Sequence, residues 1–330
     1  MVPASDLDDH LIHPMKVPLI DLSLLSQDSH SRDIVIKQIQ QGCQNSGIFQ
    51  VIHHGIPKSV IDEALEVNRS FFDMPEAMKK DLLDNGAAGD LFCPVKLINF
   101  ASGAPGNNQL LQRDLLRLHA NPLEEVVEFW PKNPADYKEK MGRYTKKVRK
   151  LGSEMFEAIM ESLNLSAKNY LKEDFENGFH ALVANCYRSN PNSSNIKIGA
   201  PAHSDHSIIT ILLQSSPGLQ ILDMADGIWK SDPEIEGSLQ VFVGDHLEVL
   251  SNGIYKSVMH RAIPISTKED RISIASFHSF GMDMIVEPAQ ELIDGDEDSP
   301  KRYNGCCARD IMTHIASGKT NRLIDVDMNL

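Results

Sequence analysis

The sequence predicts an α+β chain that is mainly β at its core: a β-sandwich or jelly roll in the second half, flanked by helices from the first. Three observations carry this. From Phe179 onward, short β-rich runs are cut by turn residues at intervals of roughly ten, the rhythm of a sandwich or barrel. Before that, one apolar stripe runs at helical spacing from Tyr137 to Leu163. And 330 residues, 42% hydrophobic and 24% charged, can bury a full core without disulfides or a structural metal.

Taken in order, Val17-Pro-Leu-Ile-Asp21 reads as a short strand, Asp33 to Cys43 as a helix by its apolar spacing, and Gly47-Ile-Phe-Gln-Val-Ile52 as a strand again. Pro57 opens a helix with apolar positions Ile61, Ala64, Leu65, Phe71 and Phe72, which stops before Pro75. The longest helix, near 135–164, places Tyr137, Met141, Tyr144, Val148, Leu151, Met155, Ile159 and Leu163 at steps of three and four, a packing face. Strands are expected at Leu182–Tyr187, Ile208–Leu213, Leu219–Met224, Leu239–Val243, Leu247–Ser251, His260–Ile265 and Ile272–Phe277. The turns between them include Pro217-Gly218, Asp226-Gly227, Gly244-Asp245 and Asn252-Gly253. An acidic loop, Asp294-Gly-Asp-Glu-Asp298, precedes a helix around Ala308–Ala316. The chain thus divides into a helical and mixed region (1–178), a β core (179–285) and a carboxy-terminal loop and helix (286–330), without clean separation.

Composition sets limits on partners. Lys and Arg number 32 against 46 Asp and Glu, a formal net charge of −14. So acidic a chain is a poor holder of nucleic-acid phosphates or of an anionic membrane. The opening MVPASDLDDHLIHPMK lacks the apolar region of a secretory signal, and no stretch approaches the ~18 consecutive apolar residues that span a bilayer. The five cysteines (Cys43, Cys93, Cys186, Cys306, Cys307) are scattered without a CxxC pair, which suits a reducing compartment. The expectation is a cytoplasmic monomer that acts on a small molecule and binds neither nucleic acid nor membrane.

One constellation carries chemistry. On a strand, His203-Ser204-Asp205 would send its imidazole and carboxylate to the same face. His260, on the later run Ser257-Val-Met-His-Arg-Ala-Ile263, is the best-placed third ligand. Two histidines and one carboxylate on one face of an octahedral ion leave three positions open, as in non-haem Fe(II) oxygenases. A three-ligand zinc site with a bound water is the competing reading. Arg271-Ile-Ser273, on the next run, favours the first. Arginine's planar fork takes a carboxylate through two parallel hydrogen bonds, and a serine hydroxyl on the same strand face adds a third. A keto-acid-dependent oxygenase needs such a clamp; a water-activating zinc site does not. His206 has the parity of the opposite strand face and reads as structural. His246 and His278 read as packed or rim residues, His278 with the better claim to line a pocket.

On these residues the chain resembles a known family. Ala202-His-Ser-Asp-His-Ser-Ile-Ile-Thr-Ile-Leu-Leu-Gln214, Gly218-Leu-Gln-Ile221, Val243-Gly-Asp-His-Leu247, Leu250-Ser-Asn-Gly253, Tyr255-Lys-Ser-Val-Met-His-Arg261 and Arg271-Ile-Ser-Ile-Ala275 form the set. Together they resemble the plant 2-oxoglutarate- and Fe(II)-dependent dioxygenases of specialised metabolism, the flavanone 3-hydroxylase and anthocyanidin synthase group. Gly47-Ile-Phe-Gln-Val-Ile-His-His-Gly-Ile56 resembles that family's amino-terminal motif, so the resemblance spans roughly residues 16–320. It implies a double-stranded β-helix, a jelly roll, with flanking helices. It also implies His203, Asp205 and His260 as iron ligands, and Arg271 and Ser273 as the clamp for the distal carboxylate of 2-oxoglutarate. Asn185 and Tyr187 match the first and third members of the family's Asn-Tyr-Tyr segment and are implied as further 2-oxoglutarate contacts.

The implied cofactors are Fe(II), 2-oxoglutarate and O₂, with ascorbate as the reductant in vitro. The implied reaction oxidises a small plant metabolite by hydroxylation, desaturation, demethylation or ring closure, and releases succinate and CO₂. An alkaloid or a flavonoid or phenylpropanoid is the expected substrate, and the acidity of the chain mildly favours a cationic alkaloid. The alternatives are a catalytically silent relative that binds a small ligand and, as a minor reading, a zinc-dependent hydrolase. The substrate pocket is expected to draw on Leu115, Arg117, Val183, Phe277, Ser279 and Phe280. Two features depart from the family pattern. Cys186 replaces the middle tyrosine of its segment, and Arg188 stands where a proline is usual, near the expected site mouth.

Overall fold

The computed structural model describes residues 14–83, 93–100, 113–165, 171–189, 198–233, 235–263, 269–293, 300–310 and 313. Strand β1 (Leu19–Asp21) leads to helix α1 (Ser29–Asn45), whose first turn is capped by Asp28 accepting from the Ser31 amide at 3.0 Å. Strand β2 (Ile48–Ile52) follows, then α2 (Lys58–Asp73), which begins after Pro57 and ends before Pro75. Next come α3 (Glu76–Leu83), the antiparallel pair β3 (Val95–Phe100) and β4 (Arg113–His119), and the short α4 (Leu123–Val126). Helix α5 (Tyr137–Ser162) carries the long stripe: Tyr137, Met141, Tyr144, Val148, Leu151, Met155 and Ile159 are all buried. Tyr137 donates to Asn68 Oδ1 at 2.9 Å and so ties α5 to α2.

After α6 (Lys172–Glu176) the chain becomes β: β5 (His180–Tyr187), β6 (Ala200–His203), β7 (Ile209–Gln214), β8 (Leu219–Leu222), β9 (Trp229–Ser231) and β10 (Leu239–Val243). Helix α7 (Asp245–Leu250) intervenes before β11 (His260–Ala262) and β12 (Arg271–His278). A major sheet runs β1-β2-β10-β7-β12-β5-β4-β3, and a minor one β6-β11-β8-β9. Among the described strands, β1 and β2 pair in parallel and the other ladders are antiparallel. The two sheets form the jelly-roll core. Strands β1 to β4, from the amino-terminal region, extend the major sheet rather than standing apart from it.

Two sequence expectations change. Leu247–Ser251 is not a strand: Asp245–Leu250 is helical, and its six residues are all buried. Six residues buried on every side, three of them polar (Asp245, His246 and Glu248), show neither a period of two nor one of 3.6. The β3–β4 pair was not anticipated, because Leu115-Leu116 places apolar residues on both faces of β4 and masks its alternation. The acidic loop Asp294–Asp298 lies outside the described residues. Of the expected terminal helix, residues 308–310 and 313 are helical and the remainder lies outside them.

The major sheet separates two environments. On β12, Ile272 and Ile274 join the core under the helices, whereas Arg271, Ser273, Ala275 and Phe277 face the space between the sheets. Helix α5 crosses the helical side so closely that a Cβ built on Gly152 would stand 2.6 Å from the His278 imidazole. Gly142, in the same helix, has open space where its Cβ would be. Gly152→Ala should therefore cost about 1–3 kcal/mol by overpacking. Gly142→Ala should be neutral or gain up to about 1 kcal/mol from helix propensity. Urea unfolding of both variants checks this; equal effects would mean that α5 does not pack on β12 at Gly152.

Candidate active site

His203 ends β6 and His260 begins β11, and the antiparallel register sets them opposite each other, with imidazole centroids 4.3 Å apart. Asp205 is not on the strand, contrary to the strand reading of the His-x-Asp triplet. Its backbone carbonyl accepts from the Asp245 amide at 2.7 Å, and Ser204 Oγ donates to Asp245 Oδ2 at 3.0 Å. The first residue of α7 thus holds the turn, and the turn delivers the carboxylate. Asp205 Oδ1 lies 3.8 Å from His203 Nε2 and 3.7 Å from His260 Nε2. The three ligand atoms fall within 4.8 Å of one another, a grouping of metal-ligand size.

Backbone carbonyls fix the tautomers. His203 Nδ1 is 2.8 Å from the Pro201 carbonyl, and His260 Nδ1 is 3.2 Å from that of Val258. A carbonyl only accepts, so each Nδ1 carries the proton and each Nε2 presents its lone pair beside Asp205. Desolvation, with His260 alongside, holds the His203 imidazole below its ordinary value against the opposing pull of Asp205. It is therefore neutral at pH 7, the form that binds a metal.

These groups open onto a cavity of about 350 Å³ between the sheets. The ladder places Arg271 opposite Tyr187 and Ser273 opposite Asn185, and all four line the cavity. Arg271 is only 2% exposed. Its Nε donates to the Ser216 carbonyl at 3.0 Å and its Nη2 to Gln214 Oε1 at 2.7 Å, while the Tyr187 ring lies 5.1 Å from its guanidinium carbon. Burial pulls the guanidinium below its ordinary value, with Tyr187 and Asp232 opposing. Its Nη1, buried, has no hydrogen-bond partner among the described residues. A buried cationic N–H without an acceptor is costly, and a carboxylate is the group that satisfies it. The donor set and this orphaned atom therefore fit Fe(II) and 2-oxoglutarate.

Leu115, Val183 and Phe277 line the same cavity, whereas three other expected pocket residues do not. Ser279 and Phe280 lie beyond the end of β12 and are buried; Phe280 packs edge-on against Phe156 and Phe175 in the helical core. Arg117 shares the cavity face of β4, but its Nη2 reaches the Cys93 carbonyl at 3.4 Å and it is not part of the wall. His206 is not on an opposite face, because the strand has already ended: its ring stacks on Phe277 at 5.6 Å. His278 turns away from the cavity and stacks on His180 at 4.4 Å. Arg188 is not at the mouth either. It joins Asp73, Asp114 and Asp270 at 2.9, 3.1 and 2.8 Å on the helical side of the sheet.

Sequence reasoning missed Arg113, Thr210, Leu212 and Phe242 as cavity residues. The alternation of Arg113-Asp-Leu-Leu-Arg-Leu-His119 held the signal for the first, since residues 113, 115 and 117 share a face. Arg113 sits opposite Tyr187 in register. Among the described residues, Asp205 is the sole carboxylate in the cavity wall. The acidity of the whole chain therefore does not extend into the site, which removes the argument for a cationic substrate.

Comparison with known proteins agrees with this geometry. Residues 178–279 match the 2OG-Fe(II) oxygenase superfamily, and residues 17–133 match the amino-terminal region described as "non-haem dioxygenase in morphine synthesis". The chain is 40% identical over 302 residues to 2-oxoglutarate-dependent dioxygenase 21, chloroplastic, of Oryza sativa subsp. japonica, covering 92% of this chain and 87% of that one. It is 38% identical over 322 residues to flavanone 3-dioxygenase 3 of the same plant, covering 97% and 95%. The crystal structure of JOX2 in complex with 2OG, Fe and JA superposes with a TM-score of 0.79 at 27% identity, covering 96% of this chain and 88% of that one. The chain belongs to the 2-oxoglutarate- and Fe(II)-dependent oxygenases. It is an oxidoreductase that uses Fe(II), 2-oxoglutarate and O₂.

The turn that carries Asp205 depends on Asp245. Asp245→Ala should lower Fe(II) affinity by about tenfold, the lower end of outer-shell effects, while the fold persists. An anaerobic metal titration beside a circular-dichroism spectrum reads both, and unchanged affinity would show that the Asp245 side chain does not position the carboxylate.

Proposed function

We propose that this chain oxidises a small plant metabolite at an iron held by His203, Asp205 and His260, with 2-oxoglutarate anchored by Arg271 and Ser273. The observation that carries the reading is the buried Arg271, with Nη1 unbonded, on the same cavity wall as the three convergent ligands. The bound iron supplies the oxidative decarboxylation of 2-oxoglutarate to succinate and CO₂, coupled to attack on a C–H bond of the second substrate. The chain's part is placement. The carbonyls of Pro201 and Val258 hold the histidines in the ligating tautomer, and α7 holds the carboxylate. Tyr187 and Asn185 border the clamp, and Leu115, Val183 and Phe277 exclude water from the substrate end.

The wall favours an uncharged or anionic metabolite over a cationic one, since Arg113 is added to it and Asp205 is committed to the metal. A flavonoid or phenylpropanoid suits that wall better than an alkaloid. The retention of ligands and clamp together speaks against a silent binder, which has no physical need of either. The clamp likewise has no task in a zinc hydrolase. In this reading the protein acts as a monomer in the cytoplasm, a reducing compartment that five cysteines free of disulfides suit. Among the described residues, no helix is long and apolar enough to cross a membrane.

Screening a metabolite library with Fe(II), ascorbate and 2-oxoglutarate, by succinate release and product mass, identifies the substrate. His203→Ala or Asp205→Ala should abolish succinate release, and activity with zinc alone would contradict the iron assignment. One charge-assisted hydrogen bond from Nη1, of about 1.5–3 kcal/mol, means that Arg271→Ala should raise the 2-oxoglutarate KM by at least about tenfold. Arg271→Lys keeps the charge without the fork and should fall between. A KM within twofold of wild type in Arg271→Ala would show that the clamp lies elsewhere.

A further inference from the structure

Behind Arg271 lies a buried polar cluster that the iron chemistry does not use. Gln50 on β2, Gln240 on β10 and Gln214 at the end of β7 come from three adjacent strands of the major sheet. They converge on one carboxylate, Asp232, which follows β9 of the minor sheet and is 7% exposed. Gln50 Nε2 donates to Asp232 Oδ1 at 2.8 Å, Gln214 Nε2 donates to Asp232 Oδ2 at 3.0 Å, and the Gln240 side chain bonds the same carboxylate. Ser238 Oγ donates to Gln50 Oε1 at 2.9 Å and locks that amide in turn.

The consequence follows from the asymmetry of an amide. Gln214 has one donor end and one acceptor end. An ionised carboxylate only accepts, so Asp232 dictates that Nε2 faces it and that Oε1 faces the other way. That oxygen is the one that receives Arg271 Nη2 at 2.7 Å. A flipped amide would set N–H against N–H at the guanidinium. Burial raises the Asp232 carboxyl to about 6, so it still stands ionised at neutral pH and above.

We infer that Asp232 is a positioning residue for the cosubstrate: through the Gln214 amide it holds the Arg271 guanidinium in the orientation that leaves Nη1 for the distal carboxylate of 2-oxoglutarate. This rests on the assignment of Arg271 proposed above. Asp232 touches neither the metal triad nor the substrate end of the cavity, so its loss acts on the keto acid's distal carboxylate alone.

The test is anaerobic calorimetry on the Fe(II) enzyme with two keto acids: 2-oxoglutarate, and 2-oxobutyrate, which lacks the distal carboxylate. The set is wild type, Asp232→Ala, Asp232→Asn, Gln214→Ala, the double variant and Arg271→Ala. Asp232→Ala should weaken 2-oxoglutarate about tenfold, the equivalent of one hydrogen bond to a charged group, while 2-oxobutyrate and Fe(II) binding stay within about twofold. In the Gln214→Ala background the same substitution should add less than about twofold, because the two residues act in series. Asp232→Asn keeps the shape and one acceptor oxygen and should lose a few-fold; it carries the comparison if the alanine variant does not fold. Equal weakening of both keto acids, an additive effect with Gln214→Ala, or no effect in a folded variant overturns the inference. If Arg271→Ala weakens 2-oxoglutarate and Asp232→Ala does not, the clamp stands and only the role of Asp232 fails. If Arg271→Ala has no effect, both fall.

Discussion

A strand turns successive side chains to opposite faces, and β12 lies in the middle of the major sheet with a different solvent on each side. Its odd-numbered residues, Arg271, Ser273, Ala275 and Phe277, must suit the cavity between the sheets, whereas Ile272 and Ile274 must suit a helical core. The two demands cannot be met separately. A slip of one residue in register would drive a guanidinium into the apolar layer and isoleucines into the cavity. The long ladders to β5 and β7 guard against that slip. The helical layer of α2 and α5 thus does more than cover the sheet: it fixes which face Arg271 occupies.

The metal end is governed by a different kind of restraint. The proposed ligands come from two short strands and a turn, elements that carry little stability of their own. Rigidity is borrowed from the backbone: carbonyls of Pro201 and Val258 hold the rings, and the start of α7 holds the turn. Burial supplies the electrostatics at His203, where desolvation favours the neutral imidazole over the charged one. The same burial makes the clamp selective. A guanidinium with an unbonded N–H inside the protein rewards only a ligand that brings its own negative acceptor.

How much of this was readable in the sequence depended on how local the signal was. The stripe on α5, the β-rich runs from Leu182 to Tyr187 and from Ile272 to Phe277, and the turn pairs between strands all lie within short windows, and the elements they announced are present. Helix α7 was missed because six residues buried all round show no period. The pair of β3 and β4 was missed because Leu115 and Leu116 make both faces of β4 look apolar. His203, Asp205, His260, Arg271 and Ser273 were named from motif and parity. Yet the parity argument for Asp205 and His206 assumed a strand that ends at His203. Ser279 and Phe280, to which the family resemblance pointed, lie outside the cavity because the chain leaves the sheet after His278. Nothing in the sequence announced Asp232. Its partners, Gln50, Gln214 and Gln240, are drawn together by the sheet order alone.

The central claim is that one cavity holds both the iron and the keto acid, each at a named set of side chains. Crystals grown without oxygen in the presence of Fe(II) and 2-oxoglutarate, with anomalous scattering collected at the iron edge, test it most directly. The account predicts a single iron peak bonded to His203 Nε2, Asp205 Oδ1 and His260 Nε2. It also predicts that the far carboxylate of 2-oxoglutarate meets Arg271 Nη1 and the Ser273 hydroxyl. An iron peak away from these three residues, or a keto acid whose far carboxylate does not reach Arg271, would contradict it.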